Sequence, residues 1–84
     1  MFVTYILQSE KNNKFYIGST RNIDARIEKH NKGYSKYTKG KGSFRLVYKE
    51  ADDSLSKAKK REYYLKSLKS RIAIEKLIKN AVFV

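Results

Sequence analysis

The chain has 84 residues, with 20 Lys and Arg against 8 Asp and Glu, a formal charge of +12, 40% hydrophobic residues and no cysteine. That length predicts one domain, residues 1–84, whose thin core buries roughly 60 to 65% of the unfolded surface; disulfides and thiolate metal sites are excluded. No apolar run approaches the roughly 18 to 20 residues of a membrane helix and no signal peptide is recognisable, so the expected compartment is the cytoplasm, and the charge excess predicts a polyanionic partner through counterion release.

Residues 2–9 read as a first strand, because VTYIL is rich in β-branched and aromatic side chains. Residues 10–13 are polar and end in Asn-Asn, which tolerates turn geometry, and residues 14–18 read as a second strand. With an even number of loop residues, Tyr5 and Tyr16 fall on one face of the resulting hairpin. Gly18 closes the strand where backbone has to approach something closely.

Asn22 is the expected N-cap of a first helix, with Asp24 in its first turn and Gly33 as its stop beyond Asn31. At 100° per residue, Ile23, Arg26, Ile27 and His30 share one arc of about 100°. Residues 34–42 form a basic loop, and residues 43–50, SFRLVYKE, alternate well enough for a third strand. Asp52, Asp53 or Ser54 caps a second helix reaching Leu68, with Leu55, Ala58, Leu65 and Leu68 as its stripe and Glu62 inside that arc. Ser70 caps a last helix whose inner face is Ile74, Leu77, Ile78 and Ala81. The order β-β-α-β-α-α defines a small α/β or α+β domain in which a helix must cover the three strands.

Each polar residue in this pattern also has an ordinary structural explanation. A strand tyrosine is usually core, Arg26 can lie over apolar surface, and Glu62 can pair with Lys59, Lys66 or Arg26. A carboxylate on an apolar stripe nevertheless needs a partner, a metal or partial exposure. Tyr5, Tyr16, Arg26, His30 and Glu62 together fit phosphodiester hydrolysis, which needs a base, charge neutralisation at phosphate and help for the leaving oxygen. One carboxylate suits a Mg²⁺ that keeps most of its waters, and arginine matches phosphate in a rigid fork. Tyrosine becomes a useful base only if nearby cations lower its pKa, which the basic surroundings and the metal are together expected to do. Gly40 and Gly42 lack a following lysine-serine pair, so nothing supports a nucleotide-hydrolysing phosphate loop.

These residues resemble the GIY-YIG nuclease superfamily, in particular its small stand-alone bacterial members and the first domain of the excision-repair subunit UvrC. The half-motifs stand as Thr4-Tyr5-Ile6-Leu7 and Tyr16-Ile17-Gly18, followed by Ser19-Thr20, Arg26 and His30-Asn31; Ala58, Glu62 and Lys66 match the second-helix motif. The similarity covers about residues 2–78, with Lys39 where an arginine is common and Ser43 where a proline is common. It implies a three-stranded antiparallel sheet flanked by helices, a single-metal hydrolytic site with Glu62 as Mg²⁺ ligand (Mn²⁺ substituting), and DNA as substrate, cut with structure selectivity or weak sequence specificity.

Arg26 is then the expected clamp on the scissile phosphate, Tyr5 or Tyr16 the group that activates or orients water, and His30 the aid to proton transfer. The acid-free stretch from residue 32 to 49 assigns nucleic-acid contact to Lys32, Lys36, Lys39, Lys41 and Arg45, with Lys66 added from the helix motif. DNA that is branched or nicked is the expected partner, with RNA as a further polyanion, no membrane partner, and DNA repair as the setting UvrC implies. The alternative is a noncatalytic nucleic-acid-binding module that keeps the fold.

Overall fold

A computed structural model describes residues 1–32 and 43–80. The expected Lys36, Lys39 and Lys41 contacts, the basic loop, the Gly33 stop and Ala81 lie outside the described residues.

The elements are β1 (Phe2–Ser9), β2 (Phe15–Thr20), α1 (Ile23–Asn31), β3 (Phe44–Asp52), α2 (Leu55–Ser67) and α3 (Arg71–Asn80), in the predicted order β-β-α-β-α-α. They form a three-stranded antiparallel sheet ordered β2-β1-β3, so β1 is central and β2 is an edge. The hairpin turn closes through Asn13 at φ 60°, a left-handed conformation that asparagine tolerates. β2 runs on to Thr20, two residues past the expected stop at Gly18, because Val3 and Thr4 continue the ladder with Thr20 and Ser19.

The sheet carries helices on both faces. Tyr5, Leu7 and Phe44 pack with Tyr16, Ile23, Ile27 and Leu46 on the α1 side. Ile6, Tyr48, Leu65 and Ile74 pack with Phe15, Ile17, Leu68, Leu77 and Ile78 on the side of α2 and α3. β3 serves both faces through an irregularity the alternating reading misses. Ile6 pairs with Tyr48 but Leu7 pairs with Leu46, so Val47 is the extra residue of a β-bulge. The bulge resets the phase, placing Leu46 toward α1 and both Val47 and Tyr48 toward α2.

Caps fix the helices. Asn22 Oδ1 accepts from the Ala25 N–H at 3.1 Å, and Ser54 Oγ, one of three candidates, accepts from Lys57 N–H at 3.2 Å. Ser70 Oγ accepts from Ala73 N–H at 3.2 Å ahead of α3. Two further contacts set the position of α2. The fully buried Thr4 hydroxyl donates to the Ala58 carbonyl at 2.9 Å, and Glu50 accepts from Tyr48 Oη at 2.5 Å and Arg61 Nε at 2.6 Å. Ala58 is one turn before Glu62, so the first bond fixes the height of that carboxylate along the sheet.

Candidate active site

Tyr5 is on the central strand, yet its hydroxyl reaches the sheet edge. It does so by crossing β2 at Gly18, its partner in the ladder. A Cβ on Gly18 would stand 2.6 Å from Tyr5 Cζ and closer still to the hydroxyl oxygen, so only glycine admits the ring. Tyr16, paired with Leu7, lies on the same face, with its ring edge-on to Phe44 at 5.3 Å. From α1, the buried His30 places Nε2 3.2 Å from Tyr5 Oη. Asn31 anchors this end of the helix by accepting from the Phe44 N–H at 2.6 Å. Arg26, one turn earlier, is exposed.

Glu62 arrives from the other face. α2 packs on the face of the sheet opposite α1. Ser19 follows Gly18 and points the other way, toward α2, and its hydroxyl donates to Glu62 Oε1 at 2.6 Å. The two sets of groups meet around the edge of β2. Tyr5, Tyr16, Arg26, His30 and Glu62 all line one cleft of about 780 Å³ that wraps this edge.

The cleft is strongly positive. Lys14, Arg26, Lys59, Lys66, Lys69 and Arg71 line it, and Glu62 is its single carboxylate among the described residues. Lys66 Nζ lies 2.7 Å from Glu62 Oε2 and Lys59 Nζ 3.7 Å from Oε1, leaving the Glu62 side chain 14% exposed. Burial pushes the Glu62 carboxyl up, but hydrogen bonds from Lys66 and Ser19 and the charges of Lys66 and Lys59 outweigh it and hold the pKa below 4.5. Glu62 is therefore an anion at neutral pH. Burial, aided by Arg26, pushes the His30 imidazole down from 6.5, so it is neutral there. In the neutral tautomer protonated on Nδ1, Nε2 accepts a hydrogen bond from the Tyr5 hydroxyl.

The protein's own charges do not lower the Tyr5 pKa. Burial raises it above 10.0, Arg26 opposes through charge and hydrogen bonding, and the Glu62 charge adds to the rise. Tyr5 is a phenol, with a proton to pass on rather than a standing phenolate. Of the expected nucleic-acid contacts, Lys66 lines the cleft. Lys32 instead pairs with Glu28 at 2.7 Å, and Arg45 donates to Gln8 at 3.3 Å; neither lines it. Sequence reasoning left out Lys14, Lys69 and Arg71, which topology alone brings to the cleft, and the Ser19 bond to Glu62. The alternation Gly18-Ser19 was the signal for the last.

The residues fit one kind of metal ion. Among the described residues no three His, Cys, Asp or Glu side chains cluster, so a protein-caged ion has no ligand set. An ionised carboxylate held by a serine hydroxyl beside an open cleft matches a hard cation that keeps its waters and takes the rest of its oxygens from a phosphate.

The pattern of the GIY-YIG catalytic domain matches residues 1–79. A UPF0213 protein of Clostridium perfringens is 44% identical over 69 residues, spanning 81% of this chain and 73% of that protein. A UPF0213 protein of Staphylococcus aureus is 45% identical over 53 residues, which is 62% of this chain and 65% of the relative, so the match spans just under two thirds of it. Among solved structures, the solution NMR structure of a UPF0213 protein from Bacillus halodurans is 41% identical, with a TM-score of 0.60, covering 94% of this chain and 84% of that one.

Proposed function

Since the chain belongs to the GIY-YIG catalytic domain family, we propose that it is a metal-dependent endonuclease that hydrolyses DNA phosphodiester bonds. The observation that carries this reading is the meeting, around one strand edge, of an ionised carboxylate, an arginine and a tyrosine hydrogen-bonded to a neutral histidine. Arg26 has no carboxylate within 4 Å among the described residues, so its guanidinium is available to a phosphate, whose oxygens it matches in a bidentate fork.

Tyr5 and His30 supply the proton path. As water attacks phosphorus, its proton passes to Tyr5 Oη while the Tyr5 proton passes to His30 Nε2, and the bond from phosphorus to the leaving nucleoside oxygen breaks. The leaving oxygen takes its proton from solvent, and the imidazolium later releases its own to solvent. Burial and Arg26 both oppose the imidazolium, so His30 gives that proton up readily. Tyr16 lines the same cleft, and the hydroxyl of Tyr5 3.2 Å from His30 Nε2 favours Tyr5 for this role. Glu62 would hold Mg²⁺, or Mn²⁺ in its place, which neutralises charge developing on the phosphate.

The test compares wild-type protein with Glu62→Ala on nicked, branched, flapped and single-stranded DNA, with an RNA control, in Mg²⁺. Wild type should cut at least one DNA substrate, Glu62→Ala should lose nearly all cleavage, and binding should change only a few fold, because the lost interaction acts on the transition state. Cleavage by neither protein refutes the activity and leaves a nucleic-acid-binding module. Equal cleavage by both refutes the role of Glu62.

A further inference from the structure

The cleft continues past the groups used above. Its second arm follows β2 back from Gly18 to Lys14, with the end of α2, the turn at residues 69–70 and the start of α3 as the opposite wall. At about 3.4 Å per residue, this arm is roughly 14 Å long from Gly18 to Lys14. Phe15 and Ile17 form its apolar floor.

Arg71 is built into that floor. Its guanidinium carbon lies 4.6 Å from the centroid of the Phe15 ring. Nε is 2.7 Å from Glu75 Oε1, and the Asn13 carbonyl accepts from a terminal nitrogen at 2.7 Å. Held on one face and along its edges, the side chain is still 50% exposed. A planar cation fixed in this way is a platform on which a base can stack. Lys14 and Lys69 stand beside it, both exposed and neither with a carboxylate within 4 Å among the described residues. Lys69 is held at φ 47°, the left-handed position after a helix where glycine is usual.

We infer that this arm binds an unpaired strand of the nucleic-acid substrate, with a base stacked on Arg71 and phosphates on Lys14 and Lys69. The inference rests on the nuclease reading of the adjoining site and adds the form of the substrate there. A cleft of about 780 Å³ takes a short piece of single strand. A duplex offers such a surface no free base face, because its bases are already stacked on one another. Cations along a groove with a stacking surface in its floor are what single-strand binding requires.

Fluorescence anisotropy without divalent metal separates this inference from turnover. The probes are a blunt DNA duplex, the same duplex with a short thymidine tail, and that tail with abasic sites. The tailed duplex should bind more tightly than the blunt one. Lys14→Gln combined with Lys69→Asn, the latter chosen because asparagine accepts a positive φ, should reduce the salt-dependence slope by about 1.4 on the tailed duplex and leave the blunt one unchanged. Arg71→Lys keeps the charge and loses the plane, so it should weaken binding of the thymidine tail by roughly five-fold or more and spare the abasic tail. Equal losses on blunt and tailed DNA, or an unaltered slope, overturn the strand path. Equal effects on thymidine and abasic tails overturn the stacking. If Arg71→Lys unfolds, the lysine pair still decides. A tail preference without cleavage would refute the activity alone; cleavage without a tail preference would refute this inference alone.

Discussion

Gly18→Ala tests the geometry that places Tyr5. The added methyl would stand 2.6 Å from Tyr5 Cζ, so the ring has to retreat by about 0.8 Å to regain ordinary contact at 3.4 Å. Tyr5 is 3% exposed and packed with Leu7 and Phe44, so it has no free space to enter, and its hydroxyl is tied to His30. Overpacking of this kind costs about 1–3 kcal/mol. In a domain of this size each kcal/mol lowers Tm by roughly 4–8 °C, so a fall between about 4 and 24 °C is expected by circular dichroism. The loss belongs to the pair. With Tyr5→Leu in place, the same Gly18→Ala change should be neutral or raise stability by up to about 1 kcal/mol, because alanine loses less backbone entropy than glycine. Tyr5→Phe keeps Cζ and should relieve the clash only in part. A Tm for Gly18→Ala within about 2 °C of wild type, or the same loss in both backgrounds, refutes the crossing of β2 by the Tyr5 ring.

Three further outcomes follow from the same contacts. Lys66→Met removes the ammonium from Glu62 Oε2 and should tighten Mn²⁺ binding severalfold in titration calorimetry, with Glu62→Ala abolishing it; unchanged affinity means Lys66 does not compete for the carboxylate. The His30 and Glu62 pKa values are both lowered on folding, so their stability contributions are full above about 6.5 and 4.5 and fade as pH falls through the folded values. Tm should therefore drop in two acid steps, and His30→Gln should flatten the upper one; an unchanged profile assigns that step elsewhere. Thr4→Val keeps the shape of a fully buried side chain and removes its bond to the Ala58 carbonyl, so it should cost about 1 kcal/mol, read as a Tm loss of roughly 4–8 °C.

Most of the fold was readable because local chemistry and periodicity agreed. VTYIL, the Asn-Asn turn and the Asn22 and Ser70 caps each acted as their residue types dictate. The bulge at Val47 was not readable. Phe44 and Leu46 alternate, but the adjacent apolar pair Val47-Tyr48 fits either phase, and only the partners on β1 decide. The placing of Glu62 was only half readable. Its position within an apolar helix stripe says that α2 turns this side toward the sheet, yet a stripe carries no information about which face of the sheet receives it. Arg71 was harder still, since its meaning depends on Phe15 and Asn13, more than 50 residues away in the chain.

The Gly18-Ser19 dipeptide resolves how one site can draw on both faces of a sheet. Side chains alternate along β2, so the α1 side of the strand at Gly18 is bare and admits the Tyr5 ring with its His30 partner. The next residue presents its hydroxyl to the α2 side and holds Glu62. Only the thickness of one strand separates the phenol from the carboxylate. The Glu62 charge accordingly reaches Tyr5 through the edge and raises its pKa, while Arg26 acts in the opposite sense. Such an arrangement works only at an edge strand, because a further strand beyond β2 would fill the space where the two sets of groups meet. It also fixes the register: a slip of one residue in either direction would bring Ser19 or Ile17, in place of Gly18, under the tyrosine ring and close the gap that admits it.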